Sequence, residues 1–293
     1  MKAIAVSRHF QRKKQAWVGF LFVLPSLSGC MVFVILPFFD ALLRSMTNGY
    51  TGEFVGVFYY QEIFQNQSFM TAVSNTGRFI VYCVPLLIVS SLFLALMLMN
   101  RIYGRGALRA AFLLPMAIPV ASVALLWQML FHKNGLINNI VIFFQQAPID
   151  WMKTDWALAC LIISYLWKNI GYDMVLFIAG LSGIPQSLYE AASVDGAGSV
   201  RQFFSITMPC LRPTLFTVTV LSLLNSFKAY REAYLVAGNY PHGSIYLVQH
   251  TLNNWFNAME IEKLSAAAIV TALIILCLVM LLSRAWSVDT VQE

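Results

Sequence analysis

The chain has 293 residues, of which 59% are hydrophobic and only 11% are charged, whereas a soluble globular domain has about 25% charged residues. Too few polar groups are present to cover a water-exposed surface, so the composition excludes a soluble protein and predicts one that resides in a bilayer. The net charge of +6 does not indicate a nucleic-acid partner, because five basic residues crowd the N-terminus directly before an apolar run, as in the cytoplasmic flanks of membrane helices: Lys2, Arg8, Arg12, Lys13 and Lys14.

Six apolar stretches are long enough to cross a bilayer, which takes roughly 20 residues in a helix. They predict an all-α, polytopic membrane protein with spans at 17–39, 79–99, 111–131, 157–181, 214–237 and 266–282. The predicted organisation is a first part with the N-terminus, the first helix and an outer loop, then a five-helix core, then a cytoplasmic tail. These parts are residues 1–75, 76–285 and 286–293.

The first apolar stretch contains Leu27-Ser28-Gly29-Cys30, which resembles a lipoprotein cleavage site. However, the apolar run continues to Leu36, whereas the apolar region of a signal peptide is short and is followed by polar mature chain. We therefore expect the first span to be retained. No two cysteines have CxxC or zinc-site spacing, so we expect small buried side chains rather than metal ligands.

The distribution of Lys and Arg predicts that both termini are cytoplasmic, because inner loops of membrane proteins are enriched in these residues. The inner flanks then hold the N-terminal cluster and three arginines between spans two and three, whereas the outer loops carry most of the acids. The three arginines are Arg101, Arg105 and Arg109. This topology places the polar loop 183–213, between spans four and five, in the cytoplasm.

Prolines lie inside the first three predicted spans, at Pro25, Pro37, Pro85, Pro115 and Pro119. Neighbouring helices of a bundle can satisfy the backbone groups that a proline frees. For Pro115 and Pro119, kinked packing and a kink that shapes a transport pathway are equally consistent with the sequence.

The loop 183–213 predicts two short helices joined by a sharp turn. Residues 187–192 favour the first helix, Gly196 and Gly198 favour the turn, and residues 200–206 have apolar side chains at helical spacing. We expect the second helix to end at Pro209, and the fifth span to begin near Pro213. The apolar side of this pair can enter a groove on another protein; the alternative is an amphipathic loop that packs on its own bundle.

This loop resembles the signature by which permease subunits of ABC importers dock onto their ATPase. The pattern is Glu-Ala-Ala, three residues, Gly, nine residues and Ile-x-Leu-Pro, and Met208 stands here where the pattern has Leu. The matching residues are Glu190, Ala191, Ala192, Gly196, Ile206 and Pro209. The coupling residues that the resemblance and the helix-turn-helix imply are these six together with Asp195, Gly198 and Phe203.

The resemblance to permeases of carbohydrate importers extends along nearly the whole chain, through Gly104-Arg105-Gly106, Leu126-Trp127 and Gly135-Leu136-Ile137-Asn138. One departure is Gly238-Asn239-Tyr240-Pro241, where the family often has Gly-Gly-Gly-Pro. The resemblance implies one half of a type I importer, in which a second permease completes the pathway, two cytoplasmic ATPases drive it and an extracytoplasmic solute-binding protein delivers the sugar. Since the chain has no phosphate-binding loop, the ATPase is expected to bind ATP and Mg, and this chain no cofactor.

Polar residues inside the spans are candidates for sugar contact, because charged groups at membrane depth are costly and usually functional or paired. They are Lys168, Asn169 and Asp173 in the fourth span and Asn225, Lys228 and Tyr230 in the fifth. The alternative is that these charges neutralise one another and hold helices together. In particular, Lys228 and Glu232 are four residues apart and are spaced to pair on one helix face.

The sequence therefore predicts a permease subunit of an ATP-driven sugar importer of the cell membrane, with an oligosaccharide as cargo. One rival is a secondary transporter driven by an ion gradient, which predicts inverted repeats that we do not find. A second rival is a membrane enzyme, which requires a catalytic cluster, whereas His9, His132, His242 and His250 are all expected in termini or loops. A third is an ABC permease for a peptide or a phosphodiester.

Overall fold

The computed structural model describes residues 19–99 and 103–286. The N-terminal basic cluster, Arg101 and residues 287–293 of the predicted tail lie outside the described residues. Within them the chain is helical, and one isolated bridge between Thr47 and Phe54 is the extent of β-pairing. The described helices form two compact units, one within residues 19–63 and 259–270 and the other within residues 64–99, 103–258 and 271–286.

Five helices among the described residues are long and apolar enough to cross a membrane, or six spans if one bent pair is counted. We label the helices in chain order: α1 (Gly19–Arg44), α2 (Phe58–Gln65), α3 (Gln67–Met99), α4 (Arg105–Ala117), α5 (Val120–Phe131), α6 (Leu136–Phe143), α7 (Ala157–Ser182), α8 (Gln186–Val194), α9 (Ser199–Ala237), α10 (Val248–Asn257) and α11 (Ile261–Trp286). The predicted all-α, multi-span class is confirmed, and five predicted spans correspond to α1, α3, α7, α9 and α11.

The third predicted span, 111–131, is wrong as a continuous helix. The chain bends by 96° between Arg105–Ala117 and Val120–Phe143, because Ile118 and Pro119 both have extended ψ angles, of 132° and 139°. A proline disfavours helical geometry at the residue before it, which explains why α4 ends here. Of the two prolines left open by the sequence, Pro119 makes the break and Pro115 lies inside α4.

The expected break at Pro209 is also wrong, because α9 runs without interruption for 39 residues from Ser199 to Ala237. A π turn at Phe203–Thr207 precedes Pro209, and the Met208 N–H bonds to the Phe203 carbonyl five residues earlier. A π turn is wider than an α-helical turn. It displaces the backbone at the point where the proline ring would otherwise clash with the preceding turn, so the helix continues through Pro209. Helix α1 has the same arrangement, with a π turn at Met31–Ile35 just before Pro37.

In the unit that contains residues 64–258, α7 packs against α3, α4 and α9. One buried cluster is centred on Phe79, Leu161 and Tyr165, and a second on Phe177 and Leu211. The cysteines divide between two environments, because Cys83 and Cys160 are buried whereas Cys30, Cys210 and Cys277 are exposed. The expectation of small buried side chains is therefore wrong for three of the five cysteines.

In the other unit, Lys263 Nζ lies 2.6 Å from Glu62 Oε1 and 3.3 Å from Glu260 Oε2. The hydroxyls of Ser45 and Tyr60 are 2.7 Å apart. These contacts join the start of α11 to α2 and join α2 to the end of α1. None of the residues in the apolar window of α1 is buried, so this helix presents an apolar surface that can contact lipid or another chain.

Candidate coupling loop and polar pathway

The turn of the predicted coupling loop is a helix C-cap that requires glycine at one position. At the end of α8, the Gly196 N–H donates to the Ser193 carbonyl at 3.1 Å and the Ala197 N–H donates to the Ala192 carbonyl at 2.8 Å. Gly196 has φ of 77°, and this pair of bonds with a left-handed residue is the Schellman motif. Gly198 has φ of −69°, so only Gly196 needs the conformational freedom of glycine.

Side-chain hydrogen bonds hold the two helices of the loop together. Gln202 Nε2 donates to Ser193 Oγ and to the Ala197 carbonyl, both at 2.9 Å. The hydroxyl groups of Tyr189 and Thr207 are 2.8 Å apart. Because these contacts link α8 to the start of α9 on both sides of the turn, the loop is braced as one unit.

The loop presents apolar side chains outward. Val194, Val200 and Phe204 are 88%, 73% and 65% exposed, and Glu190 and Asp195 are exposed as well. Of the other expected coupling residues, Phe203 and Ile206 are half-buried and therefore lie on the inner side of the loop. The outward face is thus Val194, Val200 and Phe204, which the sequence pattern did not separate from Phe203 and Ile206.

Helix α9 joins the loop directly to the polar residues predicted in the fifth span. Phe203, Ile206 and Pro209 lie near its start, and Asn225, Lys228 and Tyr230 lie in its last third. At about 1.5 Å per residue, the distance from Ser199 to Lys228 is about 44 Å. A displacement of the loop therefore has a continuous helical path to those side chains.

A buried ion pair links α7 to α9. Lys168 Nζ lies 2.9 Å from Glu232 Oε1, and the two side chains are 10% and 9% exposed. The expected pair between Lys228 and Glu232 is wrong, because Lys228 Nζ instead donates to Asn225 Oδ1 at 2.7 Å. The 3₁₀ turn at Phe227–Ala229 explains the difference, since it changes the angle between residues that would share one face of a regular α-helix.

A second polar contact joins the same two helices. Ser222 Oγ donates to Asp173 Oδ2 at 2.6 Å, and both residues are buried. Asn169 is half-buried, and its Nδ2 donates to the Tyr165 carbonyl at 2.8 Å. Lys168 and Asp173 are thus engaged between helices. Ser222 was not among the predicted residues, because a lone serine in an apolar run gives no signal of its partner.

The other predicted residues are more accessible. Lys228 is exposed, and Asn225 and Tyr230 are half-buried. The rings of Tyr230 and His250 meet edge to face, with centroids 4.7 Å apart. Together, Asn225, Lys228 and Tyr230 present an amide, an ammonium group and an aromatic ring on one stretch of α9, which is a set able to bind hydroxyl groups.

His250 lies on α10 and is fully buried, so its expected placement in a loop is wrong. Its Nδ1 accepts a hydrogen bond from the Leu247 N–H at 3.0 Å, and Tyr246 stacks on its ring with centroids 5.4 Å apart. Burial lowers the pKa of His250 to about 4. At neutral pH the ring is therefore uncharged, with Nδ1 as acceptor and the proton on Nε2.

Comparison with known proteins agrees with this arrangement. Residues 88–292 match the family model described as the binding-protein-dependent transport system inner membrane component. The trehalose/maltose transport system permease protein of Thermococcus litoralis is 32% identical over 269 residues, which cover 90% of this chain and 91% of the relative. The lactose transport system permease protein of Rhizobium radiobacter is 31% identical over 275 residues, which cover 90% of this chain and 91% of the relative.

The fold also matches a chain from the crystal structure of a bacterial ABC transporter involved in import of the acidic polysaccharide alginate. The TM-score is 0.84 at 22% identity, and the match covers 97% of this chain and 99% of that one. The resemblance to importer permeases that the sequence indicated is therefore confirmed. The chain belongs to the family of binding-protein-dependent transport system inner membrane components, and it is a multi-pass permease subunit of an ABC transporter rather than an enzyme.

Proposed function

We propose that this chain forms half of the translocation pathway of an ATP-driven sugar importer, and that its cargo is an oligosaccharide. A second, homologous permease completes the pathway, two ATPase subunits bind ATP and Mg in the cytoplasm, and an extracytoplasmic binding protein delivers the sugar. The observation that carries the proposal is helix α9, which joins an outward-facing apolar loop to polar side chains without a break. The two relatives described above transport disaccharides by name, which supports a sugar cargo.

The coupling loop 183–213 is proposed to dock in a groove of the ATPase. Val194, Val200 and Phe204 supply apolar contact area, as in other helix-in-groove interfaces, and Glu190 supplies an exposed charge. The hydrogen bonds from Gln202 keep the loop from deforming under load. Nucleotide-driven closure of the ATPases would then displace the start of α9.

Asn225, Lys228 and Tyr230 are proposed to contact the sugar, since they are the accessible members of the predicted set. Asn169 on α7 is half-buried and is a weaker candidate, because its amide already donates to the backbone. Lys168 and Asp173 are proposed to hold α7 against α9. From the sequence alone, each of these polar residues could contact the sugar or hold helices together. The proposal now assigns sugar contact to the accessible residues and helix attachment to the buried ones.

Co-purification tests the coupling loop. The chain is co-expressed with its partner permease and ATPase, and retention of the ATPase is compared among wild type, Val200→Asp and Gly196→Ala. The aspartate places a charge in the proposed groove contact, and the alanine must adopt a left-handed conformation that costs about 1–2 kcal/mol. Gly77→Ala is the matched control, because Gly77 lies in α3 and a Cβ there meets no atom within 4 Å.

We expect both loop variants to lose ATPase while the permease pair stays assembled. Equal retention by Val200→Asp and wild type would show that the loop is not the essential dock. Uptake of radiolabelled sugar then separates the rival functions. Import that needs an ion gradient and not ATP would favour a secondary transporter, and ATP-dependent import of a peptide or phosphodiester but no sugar would favour the third rival.

A further inference from the structure

A cavity of about 740 Å³ lies apart from Asn225, Lys228 and Tyr230. Its walls come from the end of α5, from residues 150–153 and from the loop 238–242 that follows α9. Side chains with hydrogen-bonding groups on these walls are Gln128, His132, Asp150, Lys153, Tyr240 and His242. The volume falls in the range of about 300–1,000 Å³ that small-molecule sites have. The lining combines apolar side chains with a few polar groups, which is also typical of such sites.

The loop 238–242 is held in one conformation. Gly238 has φ of 75° and ψ of −159°, a combination that in practice only glycine adopts. Asn253 Nδ2 donates to Asn239 Oδ1 at 3.1 Å, and Asn254 Nδ2 donates to the Asn239 carbonyl at 3.2 Å. Ser244 Oγ donates to the Thr154 carbonyl at 3.4 Å. This bond connects the chain just after the loop 238–242 to the chain just after residues 150–153.

Asn138 fixes the remaining walls. It is fully buried, and its Nδ2 donates to the carbonyls of His132 and Ile149 at 3.0 and 2.7 Å. Its Oδ1 accepts from the Ile149 N–H at 3.0 Å and from Trp151 Nε1 at 3.2 Å. These four bonds join the end of α5 to residues 149–151, so the cavity is preformed rather than a gap between mobile loops.

The cavity shares part of its lining with a smaller void that contains unpaired polar atoms. Phe131, Met152 and Val236 also line a smaller void of about 10 Å³, together with Trp127 and Glu232. Among the described residues, Trp127 Nε1 and Glu232 Oε2 are buried and have no hydrogen-bond partner. A donor and an acceptor that line one void of this size can be bridged by a single water or a single hydroxyl group.

We propose that this cavity is a second saccharide-binding site of the chain and that it takes a neutral sugar. The inference rests on the proposed function and adds a site and a charge class to it. The ring of Tyr240, which is 79% exposed, offers a flat apolar face for a pyranose. Gln128, Asp150 and Lys153 offer the donors and acceptors that sugar hydroxyls need.

Charge balance gives the preference for a neutral ligand. Lys153 Nζ lies 3.4 Å from Asp150 Oδ2, so the two charges in the cavity cancel. An anionic sugar would need an unpaired cation here, and it would meet the carboxylate of Asp150 instead.

Photolabelling tests the site on the intact complex of this chain, its partner permease and the ATPases in lipid nanodiscs. The probes are maltose and trehalose that carry a diazirine, and labelled peptides are located by mass spectrometry. We expect label on 128–132, 150–153 or 238–242, competed by the unlabelled sugar. Tyr240→Ala should reduce that label by about three- to tenfold, as expected for the loss of one aromatic contact. A diazirine-bearing galacturonide, which is anionic, should label these peptides less.

The matched control is Tyr50→Ala, which removes a tyrosine of a different loop that is 98% exposed. Label on the cavity peptides of this variant should equal that of wild type. ATP-dependent import by the wild-type complex with its binding protein is measured in parallel. If no sugar of either charge class is imported, the proposed function and this inference both fail; if only the anionic sugar is imported, the proposed function stands and the inference fails. If import proceeds but label falls elsewhere, or Tyr240→Ala is labelled normally, only the second site is wrong. Loss of binding-protein capture in Tyr240→Ala, without sugar label in the cavity, would overturn it in favour of a protein-docking face.

Discussion

The buried pair of Lys168 and Glu232 makes a sharp prediction about stability. Both side chains are about nine-tenths buried and their charged atoms are 2.9 Å apart, while Glu232 Oε2 has no other partner. Removing one member of such a pair leaves an uncompensated buried charge, which costs about 3–5 kcal/mol. We therefore expect Lys168→Met and Glu232→Leu each to lower the free energy of unfolding by that amount.

The double variant distinguishes an ion pair from an ordinary interhelical hydrogen bond. Interhelical hydrogen bonds in membranes average only about 0.6 kcal/mol in double-mutant cycles. If the two charges compensate each other, Lys168→Met with Glu232→Leu should be less destabilised than either single variant, because no buried charge is left alone. Lys228→Met is the control, since Lys228 is exposed and bonds to a neutral amide, and its loss should cost less than about 1 kcal/mol.

The assay is reversible unfolding of the permease pair by SDS in mixed micelles, followed by far-ultraviolet circular dichroism. Two results would refute the reasoning. One is a loss below about 1 kcal/mol in both single variants, which would place the pair in the range of weak interhelical bonds. The other is additivity of the single effects in the double variant, which would mean that the two side chains do not interact.

Two further predictions concern packing and pH. Gly171→Ala should lower the free energy of unfolding by about 1–3 kcal/mol, because a Cβ there collides with the backbone carbonyl of Phe112 in α4. In the same SDS titration, the control Gly77→Ala should be neutral or slightly stabilising, because a Cβ there meets no atom within 4 Å. Equal losses of stability in the two variants would contradict the close contact at Gly171. The free energy of unfolding should fall by up to about 3 kcal/mol as the pH decreases from 6.5 to 4. In that interval His250 becomes protonated in the unfolded state, whereas in the folded state burial holds its pKa at about 4. In His250→Asn this contribution to the slope disappears, and an unchanged slope would show that His250 does not carry it.

Span positions could be predicted because hydropathy over roughly 20 residues is a local property of the chain. The break at Pro119 could not, because the sequence gives the same signal at prolines that do not break helices. Pro85, Pro115 and Pro213 all remain inside helices. What decides the outcome is whether neighbouring helices satisfy the freed backbone groups, and that depends on tertiary packing.

The turn in the loop 183–213 was also predictable from local sequence, since the Schellman turn at Gly196 is formed by residues close in sequence; the coupling role of the loop stays a prediction. Pairing inside the bundle is different. Spacing along one helix suggested Lys228 as the partner of Glu232, but the partner is Lys168, 64 residues earlier on α7. A single sequence shows which charges are buried in apolar runs, and it does not show which helices carry their partners.

The two polar contacts between α7 and α9 bear on how force from the loop is distributed. The Ser222–Asp173 and Glu232–Lys168 contacts are ten residues apart on α9, or about 15 Å along the helix. Two attachment points at that separation resist both sliding and rotation of one helix against the other, whereas a single contact permits rotation. A push on the loop should therefore move α7 and α9 as one body and carry Asn225 and Lys228, which lie between the two contacts, without changing their positions relative to α7. If Asn225 and Lys228 contact the sugar as proposed, the ion pair would keep their geometry fixed while the loop moves. A buried Lys–Glu pair would then have a role in mechanism even where hydrophobic residues would provide equal stability.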